Sequence, residues 1–281
     1  YAVGDGVTVP HYVTREPAWI ALAGPANKEG RIAADHMCGI ETSYAGSQGS
    51  SVLKLFDMSI ASTGLNERSA EAEGIPYDYV VTFSPSHASY YPGASNMTVK
   101  VLFHKETGCI LGAQIVGFAG VDKRIDVLAV SIRAHMTGQD LAELELAYAP
   151  PFSSAKDPVN MAGFVIENVR QGLVKQYRYQ DIEGLPQDGS IIMLDVRTDR
   201  EYAAGHIPHT LHIPLDSLRE RMGELDPQKP IYVNCQSGLR SYLACRILMQ
   251  HGFQCYNLIG GYRYYALQQS EKELDTVPSH S

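Results

Sequence analysis

The 281 residues contain no Gly-x-Gly-x-x-Gly fingerprint, so the sequence encodes no dinucleotide-binding βαβ turn. Gly112 to Gly117 does not replace it as a phosphate loop, because Phe118 stands where a Walker lysine belongs. A basic run is also lacking. Lys and Arg total 23 against 31 Asp and Glu, a net charge of −8, which disfavours any sequence-independent grip on nucleic acid or on an anionic membrane. An anionic ligand must therefore be held locally. No apolar run approaches the roughly 20 residues that span a bilayer. Cysteines are few and odd in number: Cys38, Cys109, Cys235, Cys245 and Cys255, with no C-x-x-C spacing. A disulfide framework, a zinc knuckle and a thioredoxin-type dithiol are not encoded, and a reducing cytoplasm fits this usage.

What is present is an ordinary globular composition, 44% hydrophobic and 19% charged, over a length that suggests two domains. The chain opens on Tyr1, and Tyr1-Ala2-Val3 reads as the middle of a buried strand, so the expectation is a start in mid-fold. A helix is predicted from Pro25, at the position where N1 tolerates proline, to Gly39. From 51 to 172 strands are predicted at 52–55, 79–83, 97–104 and 109–116, the last two as a hairpin around Lys105-Glu106-Thr107-Gly108. Helices follow at 121–136, with Ile125, Leu128, Ala129 and Ile132 as its stripe, and from Pro158 to about Gly172, with Asp157 as N-cap. This is an α+β pattern. The polar stretch 175–188, with Gly184 and Pro186, reads as a linker. After it the apolar runs 191–196 and 231–233, separated by helical segments, predict an α/β domain with a parallel sheet.

The most specific signal is Cys235-Gln236-Ser237-Gly238-Leu239-Arg240, set between the strand at 231–234 and a helix at about 241–251 with Leu243, Ile247 and Leu248 on one face. A cysteine in such a loop faces converging backbone N–H groups, a helix N-terminus and Arg240, all of which favour thiolate, the nucleophilic form. Cys245 and Cys255 read instead as small core residues. Leu194-Asp195-Val196-Arg197, Glu201-Tyr202, Gly205-His206-Ile207-Pro208, the cysteine loop and Leu258-Ile259-Gly260-Gly261-Tyr262 resemble one rhodanese domain in order and spacing. The resemblance implies sulfur transfer through a persulfide on Cys235, with Gln236, Ser237, Gly238, Leu239 and Arg240 as its cradle and no cofactor. It also implies a structural role, not a metal site, for His206, His209 and His212.

A second signal is Tyr148-Ala149-Pro150-Pro151-Phe152-Ser153, whose consecutive prolines make a rigid approach to the Asp157 helix. Together with His87-Ala88-Ser89-Tyr90-Tyr91-Pro92-Gly93 and Gly112-Ala113-Gln114 it resembles the dimerisation domain of the flavin-dependent pyridine nucleotide-disulfide oxidoreductases, in particular the CoA-disulfide reductase and NADH oxidase branch. The resemblance implies a homodimer in which Tyr148 and one of Tyr90 or Tyr91 reach the partner's active site as proton donors. The histidine and glutamate pair of the glutathione reductases is missing, which fits CoA-linked disulfides or persulfides as substrates.

A third signal, Gly4-Asp5 with Leu22-Ala23-Gly24-Pro25, resembles the last FAD-contacting segment of the same reductases: an aspartate for ribityl hydroxyls and a helix N-terminus for the flavin. Residues 1–39 are thus expected to be a remnant of an FAD-binding domain, 40–174 the dimerisation domain, 175–188 a linker and 189–281 the rhodanese domain. The chain resembles the C-terminal half of a reductase that uses FAD and NADH on CoA disulfide, CoA persulfide or polysulfide. A stand-alone sulfurtransferase fed by thiosulfate or persulfide, with a non-catalytic dimerisation module, is the alternative. For the phosphates of CoA, Lys123 and Arg124 are candidate contacts, although a solvated helix face is the simpler account of them.

Overall fold

An antiparallel sheet organises the first half of the chain and a parallel sheet the second, each of five strands. The computed structural model describes residues 1–275, and the chain divides into two compact units, Tyr1–Ile166 and Glu167 onward. No helix among the described residues is long and apolar enough to cross a membrane.

The first unit begins with a two-residue ladder, β1 (Val9–Pro10) against β2 (Pro17–Ala18), and helix α1 (Ala23–Met37). Then come β3 (Ser51–Leu55), β4 (Met58–Gly64), α2 (Glu67–Ala72), β5 (Tyr77–Pro85), β6 (Asn96–His104) and β7 (Ile110–Gly117), in the sheet order β3-β4-β7-β6-β5. The expected hairpin forms: Gly108 donates to the His104 carbonyl and adopts φ +77°, a conformation glycine takes without a Cβ penalty. Met97, Val99, Val101 and Phe103 of β6 are buried as period-two alternation requires. Helix α3 (Val121–Arg133) lies on β4 and β7 through Ile125, Leu128 and Ile132. It stops before the expected 136 because His135 turns to φ +53°. Helices α4 (Gly138–Glu143) and α5 (Pro158–Arg170) follow, α5 entered through Asp157, whose carboxylate accepts from the Val159 N–H as an N-cap does.

The second unit contains β8 (Lys175–Tyr177), β9 (Ile192–Asp195), α6 (Asp199–Ala203), β10 (Leu211–His212), α7 (Leu218–Arg221), β11 (Ile231–Asn234), α8 (Leu239–Gln250), β12 (Cys255–Leu258) and α9 (Gly261–Asp275). Its strands run parallel in the order β10-β9-β11-β12-β8. Alternate residues feed two cores: Leu194, Ile231 and Val233 pack with Ala244, Cys245 and Leu248 of α8, while Tyr177, Ile207 and Leu258 form the other. Because parallel strands all end on one edge, Asp195 and Asn234 stand side by side where the chain leaves β9 and β11.

Three expectations are corrected. Tyr1–Val3 forms no strand; the segment is exposed, joins no strand ladder among the described residues, and is tied down instead by the Tyr1 hydroxyl at 2.7 Å from His36 Nδ1. The 175–188 stretch is not a linker, since β8 pairs with β12 as an edge strand and a 3-10 turn follows at Tyr179–Gly184. Its polar composition misled because only Tyr177 of β8 is buried. On α8, Leu243 is exposed while Ser241, Ala244, Cys245 and Leu248 face inward.

Candidate functional sites

Cys235 follows directly on β11 and is fully buried. Its Sγ accepts from the Gly238 N–H at 3.1 Å and from the Ser241 hydroxyl at 3.2 Å. Gly238 is the N-cap of α8, with φ +102°, and no side chain caps that helix. The first-turn N–H groups of α8 are thus left to an anion arriving beside the sulfur, with the positive end of the helix behind them. Ser241 was not singled out in the sequence, although its place one turn into the helix is a signal for a hydroxyl that can reach back to the loop.

The loop is held from below. Tyr262 donates its N–H to the Cys235 carbonyl at 2.7 Å and Arg263 its N–H to the Gln236 carbonyl at 3.0 Å, so the start of α9 stitches the cradle shut. That approach requires glycine at 261, where φ is +62° and a Cβ would come within 2.6 Å of the Cys235 carbonyl and 2.8 Å of the Ser237 nitrogen. Buried Arg197 completes the frame: it forms a fork on Asp195 (Nη2 to Oδ2 2.8 Å), donates to the Gly205 carbonyl at 2.7 Å and to Gln236 Oε1 at 3.3 Å, and lies 4.0 Å from the Tyr262 ring centroid. This Asp195–Arg197 pair is where the Leu-Asp-Val-Arg motif acquires its purpose.

Arg240 is not free. Its guanidinium makes a two-point bridge to Glu201 at 2.6 and 2.7 Å, and that bond, ahead of the N–H and hydroxyl of Thr198, lowers the Glu201 pKa from the usual 4.5 to about 2. Glu201, part of a recognised motif but not predicted as a site residue, therefore orients the last residue of the cradle. Leu239 is exposed at the mouth. Tyr202 is stacked between His206 and His212, at 4.0 and 4.2 Å between ring centroids, which fits a structural use of these histidines. Cys245 and Cys255 are buried in the core of the same unit, and a hydrogen bond from one to the other together with burial raises the Cys245 pKa well above that of a free thiol.

In the first unit, the Tyr90 and Tyr148 hydroxyls lie 3.0 Å apart, and both residues are exposed. Tyr91 instead packs its ring edge against His87, at 5.9 Å. The pair raises the pKa of Tyr148, because ionising it would cost the hydrogen bond to Tyr90. Arg124 lies beneath these two loops, 2% exposed, and donates to Ser86, Phe152, Ser153 and Asp157. It is neither a solvated helix residue nor open to a phosphate, which corrects the candidate contact; its neighbour Lys123 is half-buried on α3.

At the N-terminal end Gly4–Gly6 forms a 3-10 turn, not a strand end. Gly4 has φ +77°, a conformation that favours glycine, while a Cβ there would meet the Ala26 Cβ only at an ordinary 3.7 Å. Asp5 is exposed, and Leu22, the N-cap of α1, offers no side-chain cap, so a carboxylate and an unfilled helix N-terminus before Ala23 share one end of the unit.

Residues 50–158 match the family model described as pyridine nucleotide-disulphide oxidoreductase, dimerisation domain, and residues 179–268 match the rhodanese-like domain. The coenzyme A disulfide reductase of Staphylococcus epidermidis is 37% identical over 165 residues, 58% of this chain and 37% of that protein. Among solved structures, reduced Bacillus anthracis CoADR-RHD superposes with a TM-score of 0.93 at 44% identity, covering 96% of this chain and 49% of that one. An NAD-dependent persulfide reductase from A. fulgidus superposes with a TM-score of 0.84 at 38% identity, over 94% and 48%. The chain therefore spans about half the length of these solved relatives and 37% of the curated one.

Proposed function

We propose, on the premise that this chain joins a pyridine nucleotide-disulphide oxidoreductase dimerisation domain to a rhodanese-like domain, that it transfers sulfane sulfur at Cys235 and forms part of a reductase of CoA disulfide, CoA persulfide or polysulfide. The observation that carries this reading is the Cys235 sulfur, held by the Gly238 N–H and the Ser241 hydroxyl at the uncapped start of α8. Two donors on one sulfur, ahead of a helix N-terminus, form a site for an anionic sulfur. In the reaction the Cys235 thiolate attacks the outer sulfur of a persulfide or thiosulfate donor. A new S–S bond forms, the donor's S–S bond breaks, and the donor leaves with the electron pair as thiolate or sulfite. The outer sulfur of the cysteine persulfide can then accept from the first-turn N–H groups, and an acceptor thiol or cyanide removes it.

For the reductase, the residues present fit a flavin: the exposed Asp5 carboxylate suits ribityl hydroxyls, and the unfilled N-terminus of α1 at Leu22 and Ala23 suits an electron-rich ring, with Gly4 supplying the positive φ of the turn. FAD, fed by NADH, would supply the reducing electrons. Tyr148, with Tyr90 hydrogen-bonded to it, holds a proton at its Oη that can be given to a departing thiolate, across a homodimer of the type the dimerisation domain provides. Tyr91 is turned to His87 and has no such part in this reading. On this reading residues 1–39 are the flavin-contacting segment and the protein works in the cytoplasm.

The test is sulfur transfer from thiosulfate or a glutathione persulfide to cyanide by the 281-residue chain. Cys235→Ser abolishes it on this reading, and activity that survives the substitution overturns the reading.

A further inference from the structure

The two loops that carry Tyr90 and Tyr148 have no ladder between them. Tyr90 lies between β5 and β6, in a turn where Tyr91 donates to the Ala88 carbonyl, and Tyr148 precedes the double proline. Backbone links between them are two, both from one group: the Ala88 N–H, to the Ser153 carbonyl at 2.9 Å and the Pro150 carbonyl at 3.3 Å. Two exposed phenols on such loops would sweep many rotamers unless the backbones beneath them were fixed. The Arg124 guanidinium supplies the fixing. From α3, its Nη2 donates to the Ser86 carbonyl (3.0 Å) on the Tyr90 loop, and to the Phe152 carbonyl (3.4 Å) and Ser153 hydroxyl (3.1 Å) on the Tyr148 loop. Its Nη1 donates to the Gly120 carbonyl at 3.2 Å, and its Nε to Asp157 Oδ2 at 3.1 Å.

A buried guanidinium is strongly unfavourable unless paired and supplied with acceptors, and here it is both. The Asp157 carboxylate stays ionised against it: burial pushes that pKa up, but hydrogen bonds from Arg124, Ser153 and the Val159 N–H outweigh it and hold the group below its usual value. Asp157 also caps α5 and accepts from the Ser153 hydroxyl at 2.6 Å, so helix, loop and guanidinium share one anion. A lysine has one nitrogen to place there and could not reach the two loops from one end of a planar fork while also holding the Asp157 carboxylate through Nε and the Gly120 carbonyl through Nη1.

We infer that Arg124, seated on Asp157, is the positioning residue of the Tyr90–Tyr148 pair, fixing the two loops so that the hydroxyls meet. Its use in proton delivery rests on the reading above; its geometry does not.

The test uses the 281-residue chain labelled with carbon-13 at the tyrosine ζ position, Tyr90 and Tyr148 being assigned by Tyr→Phe substitution. In the unmodified chain Tyr148 is expected to titrate above an ordinary tyrosine and to shift when Tyr90 becomes Phe. Arg124→Lys and Arg124→Met are expected to return Tyr148 to the ordinary range and make it insensitive to Tyr90→Phe, with the amide signals of β4, β6 and β7 retained. A folded Arg124→Lys chain whose Tyr148 titrates as before overturns the inference. Should both Arg124 variants fail to fold, Ser153→Ala decides: a partial downward shift of Tyr148 supports the inference, and an unchanged titration overturns it. Loss of the Tyr148 contribution to turnover in flavin-loaded enzyme is a separate readout, so proton delivery can fail while the positioning role stands.

Discussion

The hydroxyl groups of Tyr90 and Tyr148 meet at 3.0 Å although 58 residues separate them along the chain. Neither ring is buried, so the contact is not a by-product of core packing. In flavin-loaded enzyme carrying this chain, Tyr148→Phe is expected to lower the turnover of CoA disulfide by roughly 10²-fold, the lower range for loss of a positioned general acid. Tyr90→Phe should cost less, because the proton to be donated sits on its partner. Steady-state NADH oxidation with CoA disulfide measures both, and equal turnover in all three proteins removes the phenols from the mechanism.

The cradle sulfur offers a second test. Ser241 is one of two donors on Cys235 Sγ, and a hydrogen bond to a charged group contributes about 1.5–3 kcal/mol. Ser241→Ala is therefore expected to slow sulfur loading of Cys235 roughly tenfold or more while leaving the fold intact. Stopped-time loading followed by mass spectrometry gives the rate directly.

Glu201 makes the stability of the second unit depend on acid in a defined window. Its pKa falls from 4.5 to about 2 on folding, chiefly through the Arg240 bridge, so its contribution is fully present above pH 4.5 and is lost as pH falls through 2. Urea unfolding of the chain and of Glu201→Gln should therefore differ by a constant amount from pH 7 to about 5. The gap should then narrow as the pH is lowered further. A gap independent of pH down to 3 contradicts the bridge as the cause.

Gly261→Ala is expected to destabilise the second unit by more than about 1 kcal/mol, since a Cβ there meets the Cys235 carbonyl and the positive φ is unfavourable for alanine. The fall in the urea midpoint should be accompanied by loss of sulfur transfer, because the colliding atoms belong to the cradle itself.

Much of this was legible in the sequence where one local device decides the outcome. The strand, loop and helix around Cys235 form in the order the residues imply, although the helix starts at Leu239, two residues before the expected 241, so Leu239 and Arg240 are its first turn and the loop is only Cys235 to Gly238; the Lys105 to Gly108 turn closes its hairpin. Asp157 caps α5 at the place its sequence position indicates. What the sequence hid depends on partners distant along the chain. Arg124 looked like a surface cation because nothing near it reveals Asp157 and two loop carbonyls 28 to 38 residues away. The choice between Tyr90 and Tyr91 depended on the turn that sends one to Tyr148 and the other to His87. β8 was hidden because a three-residue edge strand with a single inward side chain has no periodicity to detect. Arg240 was read from the cradle alone, and its bridge to Glu201, 39 residues earlier, became visible only in three dimensions.

The central claim is that Cys235 carries sulfane sulfur. Intact-protein mass spectrometry, after incubation of the reduced chain with glutathione persulfide and removal of the excess, tests it most directly. The account predicts a gain of one sulfur atom, located at Cys235 by peptide mapping, released by cyanide and absent from Cys235→Ser. A chain that gains no sulfur, or that gains it equally in Cys235→Ser, contradicts the account.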